Sequence, residues 1–251
     1  MFEFFHESNI KRAIKNAFLK RQTNIVLLEP HFGLGDNLIC IGLIRSIAEQ
    51  NPKVRYYLAC LPPYFHSITW MFQDSDNIFP VAVTRGREAR QLAGFLNASH
   101  QTIGIYNIDL KRFDACFYEQ YDLPFEYRWS KSQVPPGPKS DALFEELNPT
   151  EEPYMLACRT ESGNAIFDLK INNPHNYKVI EIFPATHNVY DWTKLVQNAS
   201  EIHTIDTAFL HFVENVLYGR DAKPLYYHLA KKKLKSDFTR KLPWQLVEYP
   251  D

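Results

Sequence analysis

Several features that would point to a membrane or a nucleic-acid partner are missing from this sequence of 251 residues. No apolar run approaches the roughly 18 residues that a membrane-spanning helix needs. The formal net charge is only −1, so the chain carries no global excess of one sign. Residues 1–7 lack the basic segment and apolar core of a signal peptide. We therefore expect a protein that is not transmembrane and is cytoplasmic.

Cysteine is also scarce. The four cysteines, Cys40, Cys60, Cys116 and Cys158, lie far apart among apolar neighbours, without the spacing of zinc ligands. This pattern is typical of buried free thiols in a reducing compartment. Asp74-Ser75-Asp76 could hold a divalent metal, but its position between a predicted helix and a predicted strand favours a turn.

What the sequence does contain is a regular alternation of strands and helices. Strands are predicted at 25–28, 54–60, 78–83, 102–106, 154–158, 179–183, 202–205 and 224–228. Helices are predicted at 8–21, 36–50, from 62 onward, and at 86–97, 110–123, 125–132, 141–147, 191–199 and 207–217. Such alternation indicates right-handed βαβ units and mostly parallel sheets.

A proline-rich break divides this pattern. Val134-Pro135-Pro136-Gly137-Pro138 can continue neither a helix nor a central strand. We predict an α/β fold with two Rossmann-like domains facing a cleft, residues 1–136 and a smaller domain of residues 137–251. The second domain ends in a predicted helical tail with a lysine cluster from Lys231, which is either a solvated helix or a basic surface for a membrane, polyphosphate or nucleic acid.

The most informative stretch joins the first strand to the first long helix. Gly33 and Gly35 permit backbone conformations closed to other residues, and Asp36 can cap the helix that follows. In open α/β sheets, ligands and anions bind at such corners. The loop lacks the third glycine and the later acidic residue of a dinucleotide fingerprint.

A second corner lies at Asp206-Thr207-Ala208, where a strand passes directly into a helix. Free backbone N–H groups and a hydroxyl at a helix start form a cradle for phosphate. Asp206 and Thr207 are equally good helix caps, so both interpretations remain open at this point.

Both corners carry a family resemblance. Gly33-Leu34-Gly35-Asp36-Asn37-Leu38 resembles the N-terminal loop of GT-B fold glycosyltransferases related to the heptosyltransferases. Residues 199–211 resemble the C-terminal nucleotide-binding segment of the same group, with Ala208 where the family usually has glycine. The two segments occur in the right order. The resemblance implies metal-independent and cofactor-free transfer of a sugar from a nucleotide-diphosphate donor to an acceptor hydroxyl.

The resemblance also implies roles for single residues. Asp36 would be the general base that accepts the proton of the acceptor hydroxyl. Arg159, at the C-terminal end of strand 154–158, is placed either to neutralise the departing diphosphate or simply as a surface loop arginine. The predicted donor-binding residues are Gly33, Gly35, Phe183, Asp206, Thr207, Ala208 and His211, and the predicted acceptor-side residues, on the first domain, are His31 and Asn37.

The identity of the substrates stays open. The donor base is undetermined, and the acceptor could be a glycan, a lipid-linked glycan, a protein or modified DNA. Two other functions remain as alternatives to a nucleotide-sugar-dependent transferase. One is a nucleotide-sugar epimerase, and the other is a non-catalytic protein that binds a nucleotide sugar or a partner.

Overall fold

The computed structural model describes residues 24–104, 109–161, 164–230 and 238–249. The predicted helix at 8–21 and the lysine cluster from Lys231 lie outside these ranges.

The first sheet is built around the apolar strand β1. Its four strands are β1 (Ile25–Glu29), β2 (Arg55–Cys60), β3 (Ile78–Ala82) and β4 (Ser99–Thr102). They are all parallel, in the order β3-β2-β1-β4. The helices of this half are α1 (Leu34–Gln50), α2 (Phe65–Met71), α3 (Gly86–Leu96), α4 (Phe113–Glu119) and α5 (Tyr127–Ser130). Short 3-10 turns at Pro62–Tyr64 and Leu110–Arg112 precede α2 and α4.

The second sheet has five parallel strands. They are β5 (Tyr154–Cys158), β6 (Lys178–Glu181), β7 (Glu201–Thr204), β8 (Leu225–His228) and β9 (Gln245–Val247), in the order β6-β5-β7-β8-β9. Its helices are α6 (Ser140–Leu147), α7 (Thr193–Asn198), which follows a 3-10 turn at Val189–Trp192, and α8 (Ala208–Leu217). The predicted α/β class with two parallel, Rossmann-like sheets is confirmed.

Two strands differ from the sequence prediction. The fourth strand is Ser99–Thr102 rather than 102–106, of which residues 105 and 106 lie outside the described ranges. The predicted bounds are shifted because Ser99–Thr102 is polar and, among the described strands, lies at the edge of the sheet beside β1. The prediction of a helical tail is wrong for residues 238–249, where Gln245–Val247 pair with β8. The carboxylate of Glu214 holds this segment extended by accepting hydrogen bonds from the backbone N–H groups of Lys241 and Leu242.

A continuous cluster of buried hydrophobic side chains includes residues from both sheets. Helices α1 and α8 pack against each other at its centre, and Asn215 donates a hydrogen bond to the carbonyl oxygen of Leu38. The prolines of 134–138 form the connection between α5 and α6, as expected. A domain boundary at residue 136 stays a prediction, because this core is continuous across it.

Several smaller predictions can be compared with the structure. Asp74 and Asp76 lie in a turn, and Asp74 pairs with Arg45 at 3.0 Å. The four cysteines are unbridged, and three of them are buried. Within the described ranges, no group of three potential metal ligands is present and no helix is long and apolar enough to cross a membrane.

Candidate functional site

The two predicted corners come together in one cavity. It lies between the N-terminal ends of α1 and α8, at the carboxyl ends of β1 and β7, and its volume is about 230 Å³. Its lining consists of Gly33, Leu34, Gly35, Asp36, Ile39, Tyr64, Phe113, Asp206, Thr207, Ala208, His211 and Phe238. Ligands of open α/β sheets bind at this edge of the strands.

The glycines of the first corner are required for space rather than for unusual backbone angles. Gly33 has φ −65° and ψ 145°, and Gly35 lies inside α1, so neither glycine uses the conformations that it would permit. A Cβ atom on Gly33 would lie 2.5 Å from Oδ2 of Asp36. A Cβ atom on Gly35 would lie 3.1 Å from Cδ2 of His211 and 3.4 Å from Cα of Ala208. The glycines therefore permit the carboxylate to fold back and the two helix starts to approach.

Asp36 lines the cavity. It is the third residue of α1 rather than its N-cap, which is Gly33, and its carboxylate accepts a hydrogen bond from its own backbone N–H in the first turn. Burial raises the pKa of the Asp36 carboxyl, and the nearby Asp206 adds to this, while His31 and the backbone N–H of Asp36 oppose it. A carboxylate with a raised pKa is a stronger proton acceptor once it is ionised.

At the second corner, the side chain of Thr207 does not cap the start of α8. Thr207 occupies the N-cap position with extended backbone angles, but its side chain makes no capping bond. Its hydroxyl lies instead 3.6 Å from Sγ of Cys158. The capping interpretation is therefore not observed for Thr207. The first N–H groups of a helix have no partner within the helix, so they can bind an anion here.

His211 lies one turn into α8 and borders the cavity. Burial and the Arg128 guanidinium hold the pKa of His211 well below its usual value. Its Nδ1 is 3.2 Å from Nη2 of Arg128, and its ring packs edge-on against Phe238 with centroids 4.5 Å apart. His211 is thus a neutral imidazole at the wall of the cavity.

Arg159 and Phe183 do not line the cavity. Arg159 follows β5, next to the strand that leads to Asp206, and its Nε donates to Glu181 at 2.9 Å. Phe183 is 49% exposed and packs edge-on against Trp192. The predicted roles of both residues stay predictions.

The two predicted acceptor-side residues, His31 and Asn37, hold the backbone of the glycine loop in place. His31 Nε2 is 2.5 Å from the carbonyl oxygen of Gly104, and its ring stacks on Phe117. Asn37 is fully buried and donates to the carbonyl oxygens of Gly33 and His31. Both side chains therefore fix the backbone of the loop that carries Asp36.

Three aromatic residues that line the cavity were not predicted as site residues. They are Tyr64 before α2, Phe113 at the start of α4 and Phe238 in the C-terminal segment. Each belongs to a different segment of the chain, so no local motif marks them. Only the tertiary fold brings them to the glycine loop.

The two parallel sheets, with a cavity where the helices after β1 and β7 begin, give the chain the α/β architecture of GT-B glycosyltransferases. Neither a protein-family model nor a curated protein sequence matches the chain. The chain is similar to solved structures in its fold, at low sequence identity.

A family 9 glycosyl transferase from Veillonella parvula superposes with a TM-score of 0.58 at 10% identity, covering 91% of this chain and 87% of that one. The iron-containing dodecameric glycosyltransferase TibC of enterotoxigenic Escherichia coli gives 0.52 at 12% identity, covering 89% of this chain and 61% of that one. Heptosyltransferase WaaC of E. coli, with ADP-2-deoxy-2-fluoro heptose, gives a TM-score of 0.46 at 10% identity over 90% of this chain and 93% of that one.

Proposed function

We propose that this protein transfers a sugar from a nucleotide-diphosphate donor to an acceptor hydroxyl in the cavity between α1 and α8. One observation carries the proposal. A carboxylate of raised pKa, Asp36, and the start of α8 at Thr207 line a single cavity. Glycosyl transfer needs these two elements together, because a hydroxyl must lose a proton while a diphosphate leaves.

Asp36 is the general base of the proposed reaction. The acceptor hydroxyl gives its proton to this carboxylate while its oxygen forms a bond to the anomeric carbon of the donor. The bond between that carbon and the diphosphate oxygen breaks, and the electron pair leaves with the nucleotide diphosphate. The backbone N–H groups at the start of α8, and the hydroxyl of Thr207, stabilise the leaving charge.

The proposed cation is Arg159. Among the described residues that line the cavity there is no lysine or arginine. Arg159 would reach the donor by releasing Glu181, whose side chain is 50% exposed, and the exposed Asp168, whose Oδ1 is 3.8 Å from its Nη1. Such partly exposed ion pairs contribute only about 0–1 kcal/mol each, so a diphosphate can compete for the guanidinium. Metal independence is part of the proposal and predicts that EDTA leaves the rate unchanged.

A thermal-shift screen with UDP-, GDP-, CMP- and ADP-sugars tests donor binding. A donor that binds only the folded protein raises the melting temperature in proportion to its occupancy. The nucleotide released with and without added glycan, lipid-linked glycan, protein or modified-DNA acceptors is then measured by chromatography. We expect one donor to stabilise the protein and to lose its sugar to one acceptor class. No shift with any donor contradicts the proposal.

A second candidate is a protein that binds a nucleotide sugar or a partner without turning it over. The cavity favours it in one respect, because two carboxylates, Asp36 and Asp206, lie close together where the donor diphosphate would approach. Under this function a donor or a partner stabilises the protein but no nucleotide is released. Conversion of the donor sugar without any acceptor would instead indicate an epimerase.

A further inference from the structure

Three buried charged or polar side chains, Asp114, Arg128 and His211, contact one another in a row that ends at the cavity. Asp114 on α4 and Arg128 on α5 form an ion pair, and the two residues are 0% and 1% exposed. The Nη2 atom of Arg128 lies 3.2 Å from Nδ1 of His211. The C-terminal segment contacts both members of this ion pair. The backbone N–H of Thr239 donates to Asp114 at 2.9 Å, and the carbonyl oxygen of Thr239 accepts from Arg128 Nη1 at 2.8 Å.

This contact defines which nitrogen of His211 carries the proton. A guanidinium can only donate hydrogen bonds, so Nδ1 of His211 must accept. In a neutral imidazole the proton then lies on Nε2. The positive charge of Arg128 and the burial of the ring both oppose a second proton.

The protonated nitrogen faces the cavity. In the described part of the chain, the hydrogen bond of the His211 ring is the one between Nδ1 and Arg128. The opposite edge of the ring lies toward the cavity lining, because Cδ2, the ring carbon bonded to Nε2, is 3.1 Å from the position of a Cβ atom on Gly35. Both His211 and Gly35 line the cavity.

We propose that Asp114 and Arg128 are positioning residues that hold His211 as a neutral Nε2–H donor directed into the cavity. The donor role toward a leaving phosphate oxygen rests on the function proposed above, but the tautomer does not. The ion pair is needed because Asp36 and Asp206 line the same cavity and by themselves would favour an imidazolium. The positive charge of Arg128 opposes a second proton on His211, and the carboxylate of Asp114 balances the buried charge of Arg128.

Long-range ¹H–¹⁵N correlation spectra of the histidine rings test the tautomer directly. The His211 signals are assigned by their loss in His211→Gln. In the wild-type protein at pH 7 we expect the pattern of a neutral ring protonated at Nε2. In the double variant Asp114→Asn/Arg128→Met, which removes both buried charges, we expect a tautomer mixture or an imidazolium.

Two single variants separate positioning from general damage. Arg128→Lys keeps a positive donor and should retain the Nε2–H pattern at least in part. Arg45→Lys is the matched control, because Arg45 also binds backbone carbonyls and a carboxylate but lies away from the cavity. We expect the His211 signals of Arg45→Lys to match those of the wild-type protein.

An Nδ1–H ring or an imidazolium in the wild-type protein overturns the proposal, as does an unchanged tautomer in a folded double variant. If the double variant does not fold, the wild-type spectrum and Arg128→Lys decide. With a donor identified, the double variant should also lose about 10- to 100-fold in kcat with a smaller change in KM. Failure of every donor in the thermal-shift screen contradicts the proposed function and leaves the tautomer result standing.

Discussion

Asn215 on α8 donates a hydrogen bond of 3.0 Å to the carbonyl oxygen of Leu38 on α1, and both residues are buried. This bond joins the two helices whose first turns form the cavity. Asp36 and Thr207 are therefore held on packed elements rather than on independent loops. Pre-organisation of this kind is what positions catalytic groups before a substrate binds. It also means that small changes at the helix starts should have local, interpretable effects.

Replacing Asp36 by asparagine should abolish transfer while donor binding persists. Asparagine has the same shape but cannot accept the proton of the acceptor hydroxyl, so we expect turnover to fall by about 100-fold or more. The donor-induced rise in melting temperature should stay close to the wild-type value. Near-normal turnover by Asp36→Asn would show that another group is the base.

The same variant should be more stable than the wild-type protein at neutral pH. The pKa of Asp36 is raised from 3.8 in the folded state, mainly by burial. Above 3.8 the folded state binds more protons than the unfolded chain, so stability falls as pH rises through the raised pKa. Asparagine carries no charge and avoids this loss. Melting curves at pH 7 and below 3.8 should show a stability gain at the higher pH that disappears at the lower one.

Alanine at Gly33 and at Gly35 should have different consequences. At Gly33 the backbone suits alanine, but the new methyl group would displace the Asp36 carboxylate, so activity should fall by about tenfold or more with little change in stability. At Gly35 the methyl group presses on His211 and on the backbone of Ala208, so the free energy of unfolding should drop by about 1–3 kcal/mol.

Gly94 supplies the control for both variants. It lies in α3, and a Cβ atom there would meet nothing within 4 Å. Gly94→Ala should stabilise the protein by about 0.5–1 kcal/mol and leave activity unchanged. Urea denaturation and nucleotide release measure the two effects. Full activity in Gly33→Ala would show that the position of Asp36 is not critical.

The sequence was sufficient for the parts of the fold that depend on local pattern. β5 has the predicted bounds because Tyr154–Cys158 is an apolar run buried on both faces. The polar edge strand β4 and the strand β9 have no such pattern, since pairing with a neighbour defines them. The two corners of the site were found from glycine and capping residues. Its aromatic walls could not be found, because Phe113 and Phe238 meet the loop only through tertiary contacts.

Glu214 should be the residue on which the C-terminal segment depends. Its buried carboxylate accepts four N–H groups, from the side chains of Trp129 and Trp244 and from the backbone of Lys241 and Leu242. Glu214→Gln replaces one acceptor oxygen by a donor and leaves buried N–H groups unsatisfied. We expect a loss of about 1–3 kcal/mol in the free energy of unfolding, measured in urea.

Glu126→Gln is the matched change on the surface. Glu126 bonds Tyr218 and Lys241 but its side chain is 50% exposed, so its substitution should alter stability by about 0.5 kcal/mol or less. Equal losses in the two variants would mean that Glu214 does not anchor the segment. Because Phe238 precedes the anchored residues and lines the cavity, Glu214→Gln should also weaken donor binding.

A buried histidine pair in the second sheet should make the protein sensitive to acid. His203 Nδ1 lies 3.0 Å from His228 Nε2, and Tyr249 and Glu201 complete the cluster. Burial lowers the pKa of both histidines to about 4, with smaller contributions from Arg159 and, for His228, from His203.

Since both histidines bind protons near pH 6.5 when the chain is unfolded, the unfolded state holds more protons between pH 6.5 and 4, and stability falls as the pH is lowered through this window. The loss for one such histidine is on the order of 3 kcal/mol. Urea denaturation at several pH values should show this slope in the wild-type protein and in His175→Gln, an exposed control. The slope should be reduced in His203→Gln/His228→Gln, and a slope that the double variant retains in full would assign the acid sensitivity to other groups.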